Sequence, residues 1–241
     1  MVKSVADMTK KLMNNATPIS ELTEEVDYVY ADIVYKPPFL YQKELDLLNI
    51  ETPRTNNNTF DNWNKKVKNK DTCLKFVEYI KKGENKGLGL FLQGNAGVGK
   101  TYAVDCIYNA LKEDYRVIKT NLGHILDMVK ENFSNDKRGI SKQKLTKLLK
   151  KINLLILDDL GNEKITDWGY ELVFLIFNTL YEYNVSLIIT TNLTSDNFMN
   201  FLGDISNSNK IFDRINEICK FVKFDGESLR NNKNKEIFSK W

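Results

Sequence analysis

Four short apolar runs alternate with amphipathic stretches between residues 72 and 190. Each run is continuously apolar, as is typical of a strand buried on both faces; the runs lie at 88–92, 115–120, 154–157 and 186–190. Apolar residues recur at helical spacing in other stretches, at 72–82, 101–113, 122–132, 142–151 and 168–183. Because buried strands alternate with helices, the pattern predicts an α/β fold of three layers, with a parallel sheet covered by helices on both faces.

The N-terminal part of the chain has a weaker pattern. Two short helices are predicted at 5–14 and 40–49, with Lys36-Pro37-Pro38 as a break between them. The stretch 26–35 alternates only in part, so that helix and strand both remain open there. We therefore expect a small, mainly helical N-terminal arm.

Charge and composition suggest where this arm ends. Residues 1–51 hold five lysines and nine acidic side chains, a net charge of −4 within a chain whose total is +3. The following residues are rich in Asn and Thr and contain Pro53, so they predict a linker. The expected organisation is an N-terminal segment over 1–51, a linker over 52–58 and the main domain over 59–241.

Overall composition excludes some classes of protein. Hydrophobic residues make up 42% and charged residues 28% of the chain, as in ordinary soluble domains. No apolar stretch reaches the roughly 18 residues of a membrane span, and the Met1-Val2-Lys3-Ser4 start lacks the apolar core of a signal peptide. We expect a cytoplasmic protein without a membrane partner. Three distant cysteines and one histidine favour free buried thiols over a zinc site.

A phosphate-binding pattern follows the first predicted strand. Residues 94–101, here called the phosphate loop, read Gly94-Asn95-Ala96-Gly97-Val98-Gly99-Lys100-Thr101. Glycines let successive backbone N–H groups point at phosphates, and the following helix offers its positive end. Lys100 would contact the β- and γ-phosphates, and the Thr101 hydroxyl would bind Mg²⁺. The sequence therefore predicts a site for ATP with Mg²⁺.

Polar residues also end two other predicted strands. Asp158 and Asp159 follow the run 154–157; Asp158 could hold Mg²⁺ through water, and Asp159 could deprotonate the attacking water or serve only as a helix cap or turn residue. Asn192 follows the run 186–190. If the two strands are neighbours, its amide would lie near the γ-phosphate and the water; otherwise it simply ends a strand.

Several basic residues have open roles. Arg214 and Arg230 could stabilise charge at the γ-phosphate, often from a neighbouring subunit, or form surface salt bridges. Seven lysines and arginines occupy residues 137–151 without an acidic residue. This basic stretch suits contact with a single-stranded nucleic acid backbone, although it could equally be a solvated helix face.

Together with further motifs, these residues resemble the DnaC/IstB group of AAA+ ATPases, the bacterial and phage replicative helicase loaders. The resemblance extends from about residue 49 to residue 230. Besides the phosphate loop, its carriers are Thr59-Phe60-Asp61-Asn62-Trp63, Leu157-Asp158-Asp159-Leu160-Gly161, Glu163-Lys164-Ile165-Thr166-Asp167-Trp168, Ile189-Thr190-Thr191-Asn192-Leu193, Phe212-Asp213-Arg214-Ile215 and Gly226-Glu227-Ser228-Leu229-Arg230.

The resemblance implies roles for three residues. By position, Asn192 matches the sensor-1 residue, Arg214 the arginine finger and Arg230 the sensor-2 arginine. Few residues follow Arg230, so no C-terminal lid domain is expected. A site without a lid should hold nucleotide loosely and need a neighbouring subunit to complete it.

The resemblance also implies partners. Proteins of this group bind the hexameric, DnaB-type replicative helicase through their N-terminal part, assemble through ATP-bridged contacts and place the helicase on single-stranded DNA. The acidic segment 1–51 would then be the helicase-binding arm, or merely a stabilising extension. The expected activity is slow, partner-stimulated ATP hydrolysis in replication initiation of a phage or mobile element.

Two other functions remain open. One is an IstB-like ATPase that assists a transposase. The other is a nucleotide-gated adaptor with little hydrolysis, since Asp159 is one methylene shorter than the glutamate of many AAA+ proteins.

Overall fold

The chain divides into two units, residues 1–42 and 43–241. The computed structural model describes residues 29–30, 33–34, 40–83, 86–132, 139–203, 205–229 and 238–239. In the first unit, strands β1 (Val29–Tyr30) and β2 (Ile33–Val34) form an antiparallel pair. This pair lies in the stretch where the sequence left helix and strand open. The helix predicted at 5–14 lies outside the described residues.

The second unit is built on a five-stranded parallel sheet. Its strands are β3 (Gly89–Gly94), β4 (Val117–Thr120), β5 (Leu154–Leu157), β6 (Ser186–Thr191) and β7 (Cys219–Phe224). They lie in the order β4-β5-β6-β3-β7. The four predicted strands are thus confirmed, and their side chains are almost all buried because helices cover the sheet.

Register brings the carboxyl ends of these strands to one edge. Gln93 pairs with Thr191, and Leu157 pairs with both Thr120 and Ile189. The polar residues that follow β3, β5 and β6 therefore emerge side by side, so β5 and β6 are the neighbours that the expected position of Asn192 required.

The five helices predicted within the main domain are confirmed with small changes in their bounds. They are α3 (Lys70–Lys81), α4 (Lys100–Leu111), α5 (Leu122–Glu131), α6 (Lys142–Leu149) and α7 (Asp167–Glu182). The side chains of Asn121, Ser141 and Thr166 accept hydrogen bonds from first-turn amides of α5, α6 and α7, which explains where these helices begin.

Among the residues that the structure describes, four further helices precede or follow these five. Helix α1 (Gln42–Leu48) confirms the helix expected at 40–49. Helix α2 (Pro53–Asn57) and helices α8 (Ser195–Phe201) and α9 (Ile205–Ile218) were not predicted, nor was β7. In β7, Lys220, Phe221 and Lys223 are exposed because the strand lies at the sheet edge, so its sequence lacks the continuous apolar signal.

Residues 52–58 are not an extended linker. Thr52 and Thr55 form a reciprocal capping box, Pro53 starts helix α2, and Thr55 is 2% exposed. The Asn109 amide on α4 donates to the backbone oxygens of Thr55 and Asn58, at 2.6 and 2.8 Å. The polar residues of this stretch thus form hydrogen bonds within a helix and to α4, although their composition resembles that of a loop.

Residues 49–58, here called the flank segment, also cover the outer side of β4. The Asn49 side chain accepts from the Lys119 amide at 2.7 Å and donates to the Val117 oxygen at 3.2 Å. The Ile50 amide donates to the Lys119 oxygen at 2.8 Å. Beneath the segment, Lys119 forms an ion pair with Asp105 at 2.5 Å, with both side chains more than nine-tenths buried. These residues therefore pack with the second unit.

The three cysteines are buried and unbridged. Burial raises the pKa of Cys73, Cys106 and Cys219 to about 12, so the thiols stay protonated near neutral pH. Within the described residues, no helix combines the length and apolar character needed to cross a membrane.

Candidate nucleotide-binding site

The phosphate loop connects β3 to α4 at the carboxyl edge of the sheet. Gly97 and Gly99 have φ angles of 85° and 101°, in the left-handed region that favours glycine. A β-carbon would also lie 2.2 Å from the Ser228 hydroxyl at Gly97 and 2.7 Å from a Val67 methyl group at Gly99. These two glycines allow the chain to curl at the amino end of α4, where N–H groups can bind phosphate.

An open cleft, here called the phosphate cleft, lies beside this loop. Its lining comprises Ala96, Gly97, Gly99, Lys100, Thr101, Tyr102, Asp159, Asn192 and Leu229. Most predicted site residues are therefore brought together. Within the loop, Gly94, Asn95 and Val98 lie outside this lining; the Val98 side chain is buried in the hydrophobic core instead.

Lys100 is held at the base of this cleft and is only 6% exposed. Its Nζ donates to the backbone oxygens of Gly94 and Asn95 at 2.7 and 2.9 Å, and to Asn192 Oδ1 at 2.6 Å. These contacts orient the ammonium group toward Asn192, which follows β6.

Thr101 and Asp158 lie in contact, as a Mg²⁺ site requires. The Thr101 hydroxyl donates to Asp158 Oδ1 at 3.1 Å, and the Thr190 hydroxyl donates to the same oxygen at 2.7 Å. Burial raises the pKa of Asp158, and the Thr190 hydrogen bond partly opposes that rise. A hydroxyl and a carboxylate, completed by water and phosphate oxygens, form a donor set that suits Mg²⁺.

Asp159 and Asn192 meet across the tips of β5 and β6. The Asn192 amide donates to Asp159 Oδ1 at 3.3 Å, while its oxygen accepts from Lys100. Asn192 thus does more than end a strand. Asp159 caps no described helix, because the N-cap of the following helix α7 is Thr166. Asp159 does lie in a turn, yet its carboxylate lines the phosphate cleft.

Thr190 is a contributor that the sequence analysis did not single out. Its buried hydroxyl donates to Asp158 Oδ1 and accepts from the Asp159 amide at 2.8 Å. One hydroxyl therefore orients both acidic residues. The sequence shows a threonine near the end of one buried strand and two acidic residues after another. This pattern can be interpreted only once β5 and β6 are known to be adjacent.

Asn162 and Tyr102 are two further residues that the sequence did not point to. Asn162 Nδ2 donates to Asp159 Oδ2 at 2.8 Å. The Tyr102 hydroxyl accepts from the Asn64 amide at 2.9 Å and donates to the Asn62 oxygen at 3.0 Å, while its ring meets the Trp63 ring edge-on at 5.3 Å. These contacts hold the segment 59–64 against Tyr102, which lines the phosphate cleft.

A second cleft adjoins the phosphate cleft on the β4 side. It is lined by Ile50, Lys119, Thr120, Asn121, Asp158, Asp159, Asn162 and Glu163. Asp159 borders both clefts, whereas Asn192 lines only the first and Asn162 only the second.

Comparison with known families agrees with this geometry. The family model described as IstB-like ATP binding protein matches residues 54–237. The chain belongs to this IstB-like family. The phosphate loop, both acids and Asn192 all lie inside the matched region, and the parallel sheet with its phosphate loop is the P-loop AAA+ fold.

Relatives of the IstB-like chain include replication proteins. It is 27% identical over 203 residues to the chromosomal replication initiator protein DnaA of Borrelia duttonii (strain Ly), covering 83% of this chain and 37% of that protein. It is 24% identical over 154 residues to the replicative helicase loader DnaI of Bacillus subtilis (strain 168), covering 61% of this chain and 49% of that protein. The chain thus spans about half or less of these relatives.

One solved structure is matched over its whole length. The crystal structure of the DnaC helicase loader is 25% identical, with a TM-score of 0.58, and the match covers 72% of this IstB-like chain and 100% of that chain.

The resemblance singled out two arginines, Arg214 and Arg230. One lies away from the phosphate cleft, and the other lies outside the described residues. Arg214 Nη1 donates to Asn178 Oδ1 at 2.5 Å, and its guanidinium lies 5.0 Å from the Tyr181 ring centroid and 5.8 Å from that of Phe174. It does not line the phosphate cleft of its own IstB-like chain. Arg230 lies outside the described residues.

Several lysines of the basic stretch have partners within the IstB-like domain. Lys144 pairs with Glu44 at 2.9 Å, and Lys142 lies 3.8 Å from Glu171. Lys150 donates to the Tyr183 hydroxyl at 2.8 Å. Lys137 and Arg138 lie outside the described residues. Helix α6 therefore offers fewer uncommitted charges to a nucleic acid than its sequence suggests.

Proposed function

We propose that this chain hydrolyses ATP in the phosphate cleft. The observation that carries the proposal is the convergence of Lys100, Asp159 and Asn192 through direct hydrogen bonds at one sheet edge. A cation for phosphate, a carboxylate for water and an amide that contacts both are the parts that phosphoryl transfer to water requires.

Each side chain has a defined task in this proposal. Phosphate oxygens replace the backbone and amide oxygens that now accept from Lys100. Thr101 and Asp158 would hold Mg²⁺, which would neutralise part of the phosphate charge. The water oxygen attacks the γ-phosphorus while the bond from that phosphorus to the oxygen that leaves with ADP breaks. Asp159 accepts a proton from the attacking water, and Asn192 orients that water while contacting the γ-phosphate.

Substitution of Lys100 tests this activity. We expect Lys100→Ala to lose ATP binding and hydrolysis, because the cleft then lacks its central cation. Lys130→Ala is a matched control, since Lys130 is exposed on α5, outside the lining of the cleft. Equilibrium binding of a fluorescent ATP analogue and phosphate release measure the two effects. If Lys100→Ala binds ATP as well as the wild-type protein does, the proposal is wrong.

We further propose that ATP hydrolysis serves the loading of a DnaB-type replicative helicase onto single-stranded DNA. Membership of the IstB-like family, the 25% identity to the DnaC helicase loader and the similarity to DnaI support this proposal. The acidic N-terminal segment would bind the helicase, and copies of the chain would associate through ATP-bridged contacts.

Removal of the arm tests helicase binding. Deletion of residues 1–41 is preferable to deletion of 1–51, because the flank segment hydrogen bonds to β4 and α4. We expect the shortened protein to bind ATP normally but to lose co-purification with the replicative helicase of its host. Undiminished co-purification would contradict a helicase-binding arm.

An IstB-like transposition helper is the second candidate, favoured by the name of the family model. Such a protein would form ATP-dependent filaments on duplex DNA and would not bind the helicase. Electron microscopy with duplex and single-stranded DNA separates the two. An adaptor with little hydrolysis is distinguished by single-turnover measurements with excess protein, in which bound ATP would remain intact.

A further inference from the structure

The contacts around Asp159 point to an additional participant in the proposed hydrolysis. We propose that Asn162 is a positioning residue that anchors one oxygen of the Asp159 carboxylate, so that the other oxygen faces the phosphate cleft as the base. This inference rests on the proposed ATPase function and goes beyond the residues that the family resemblance assigns.

The backbone of Asp159 is already fixed by β6. Asp159 adopts a left-handed conformation with φ of 58°, and its amide donates to the Thr190 hydroxyl. The next residue is held twice, because the Leu160 amide donates to the Thr190 oxygen at 2.8 Å and its own oxygen accepts from the Thr191 hydroxyl at 2.6 Å. Because the backbone is fixed, the position of the Asp159 carboxylate depends only on the side-chain torsion angles.

The two carboxylate oxygens have different partners. Oδ2 accepts from Asn162 at 2.8 Å, and Oδ1 accepts from Asn192 at the longer distance of 3.3 Å. Asn162 lines the second cleft and Asn192 the phosphate cleft. The shorter hydrogen bond, from Asn162, therefore holds Oδ2 on the side of the second cleft. Oδ1, which has the longer hydrogen bond, lies on the side of the phosphate cleft.

An aspartate needs such an anchor because its carboxylate can turn about a soft terminal torsion. Asn162 is itself exposed, so its side chain contributes little to core packing. The turn that carries it is shaped by Gly161, whose φ is 116° and whose amide donates to Glu163 Oε2 at 3.0 Å. The geometry thus brings an amide donor to the base from within the same turn.

Steady-state kinetics of Asn162 variants test the inference. We expect Asn162→Ala to lower kcat about ten-fold or more, because a misplaced base loses much of its effect. The KM and the affinity for ATP should change little, since Asn162 does not line the phosphate cleft. Asn162→Gln retains an amide donor and should recover most of the rate. Asn200→Ala, a change of another exposed asparagine on α8, is the control.

A double-mutant cycle with Asp159→Asn tests whether Asn162 affects the rate through Asp159. If Asn162 acts through Asp159, adding Asn162→Ala to Asp159→Asn should cause no further loss of rate. A further loss, or an Asn162→Ala protein whose kcat stays within about two-fold of the wild-type value, would overturn the assignment. A wild-type protein without Lys100-dependent hydrolysis would instead contradict the proposed function itself.

Discussion

The phosphate loop leads into helix α4 and the flank segment packs against that helix, yet the polar groups of the two regions have different functions. The loop directs Lys100 and Thr101 into an open cleft. In the flank segment, Thr55 and Asn58 are engaged by Asn109, and Asn58 Nδ2 donates to Asp105 Oδ2 at 2.8 Å. Polar groups that converge on open space are available to a ligand, whereas those engaged internally hold the fold together. Substitutions should therefore separate the two regions into loss of activity and loss of stability.

The largest expected effect concerns activity alone. We expect Lys100→Ala to abolish ATP hydrolysis, and Arg214→Ala to reduce it by about 10³-fold or more if Arg214 acts as the arginine finger that the resemblance implies. If Arg214 acts at the site of a neighbouring subunit, mixing the two inactive proteins should restore activity. Phosphate release from the mixture measures this, with Lys210→Ala as a control for exposed basic residues on α9. Failure of the mixture to exceed either variant alone would exclude action in trans.

The largest effect on stability is expected at the ion pair beneath the flank segment. Lys119→Met leaves the Asp105 carboxylate buried without its cation, so the free energy of unfolding should fall by about 3–5 kcal/mol. Urea denaturation measures the change. The double variant Lys119→Met/Asp105→Leu should recover most of it, because no lone charge remains. A single variant as stable as the wild-type protein would show that this ion pair does not secure the segment.

Thr190 is buried, as the ion pair beneath the flank segment is, but its hydroxyl contacts both acidic residues of the candidate site. Its substitution should therefore affect both stability and activity. Thr190→Val removes the hydroxyl that orients both acids and should lower kcat about ten- to hundred-fold, with a loss of about 1–3 kcal/mol in stability. Thr190→Ser keeps the hydroxyl and should retain most activity despite the missing methyl group. Equal kinetics for the two variants would mean that the hydroxyl does not position the acids.

The smallest effect is expected in the pH dependence of Mg²⁺ binding. Because burial raises the pKa of Asp158, this carboxyl takes up a proton at higher pH than its ordinary value of 3.8. A protonated carboxyl no longer attracts the cation, so the Mg²⁺-dependent part of ATP affinity should decline as pH falls toward and through the raised pKa. Binding titrations with and without Mg²⁺ at several pH values measure this decline. Asp158→Asn should lack it; the same decline in that variant would assign it to another group.

The buried sheet and the phosphate loop were predictable because their signals are local. A run such as Leu154–Leu157 is apolar on both faces, and the glycine, lysine and threonine spacing of the loop specifies its own conformation. Strand β7 was missed because an edge strand carries exposed lysines. Helix α2 was mistaken for a linker because its hydrogen-bond partners lie about fifty residues away on α4.

The candidate site was predictable only in part. The sequence predicted Asp159 and Asn192 as site residues at strand ends, but it left open whether their strands are neighbours, which the strand order of the sheet decides. The choice of oxygen that each amide contacts, and the double role of Thr190, depend on strand register and on the left-handed turn at Asp159. No local pattern encodes those details.

The side chain of Asn49 has a consequence for how copies of this chain could assemble. Its amide imitates a peptide group beside β4 and occupies hydrogen-bonding positions that an added strand would use. An edge strand with unpaired N–H and C=O groups can pair with a strand of another chain, which leads to aggregation. An incoming copy would first have to displace Asn49 and Ile50, so growth by sheet extension is obstructed on this side of the molecule.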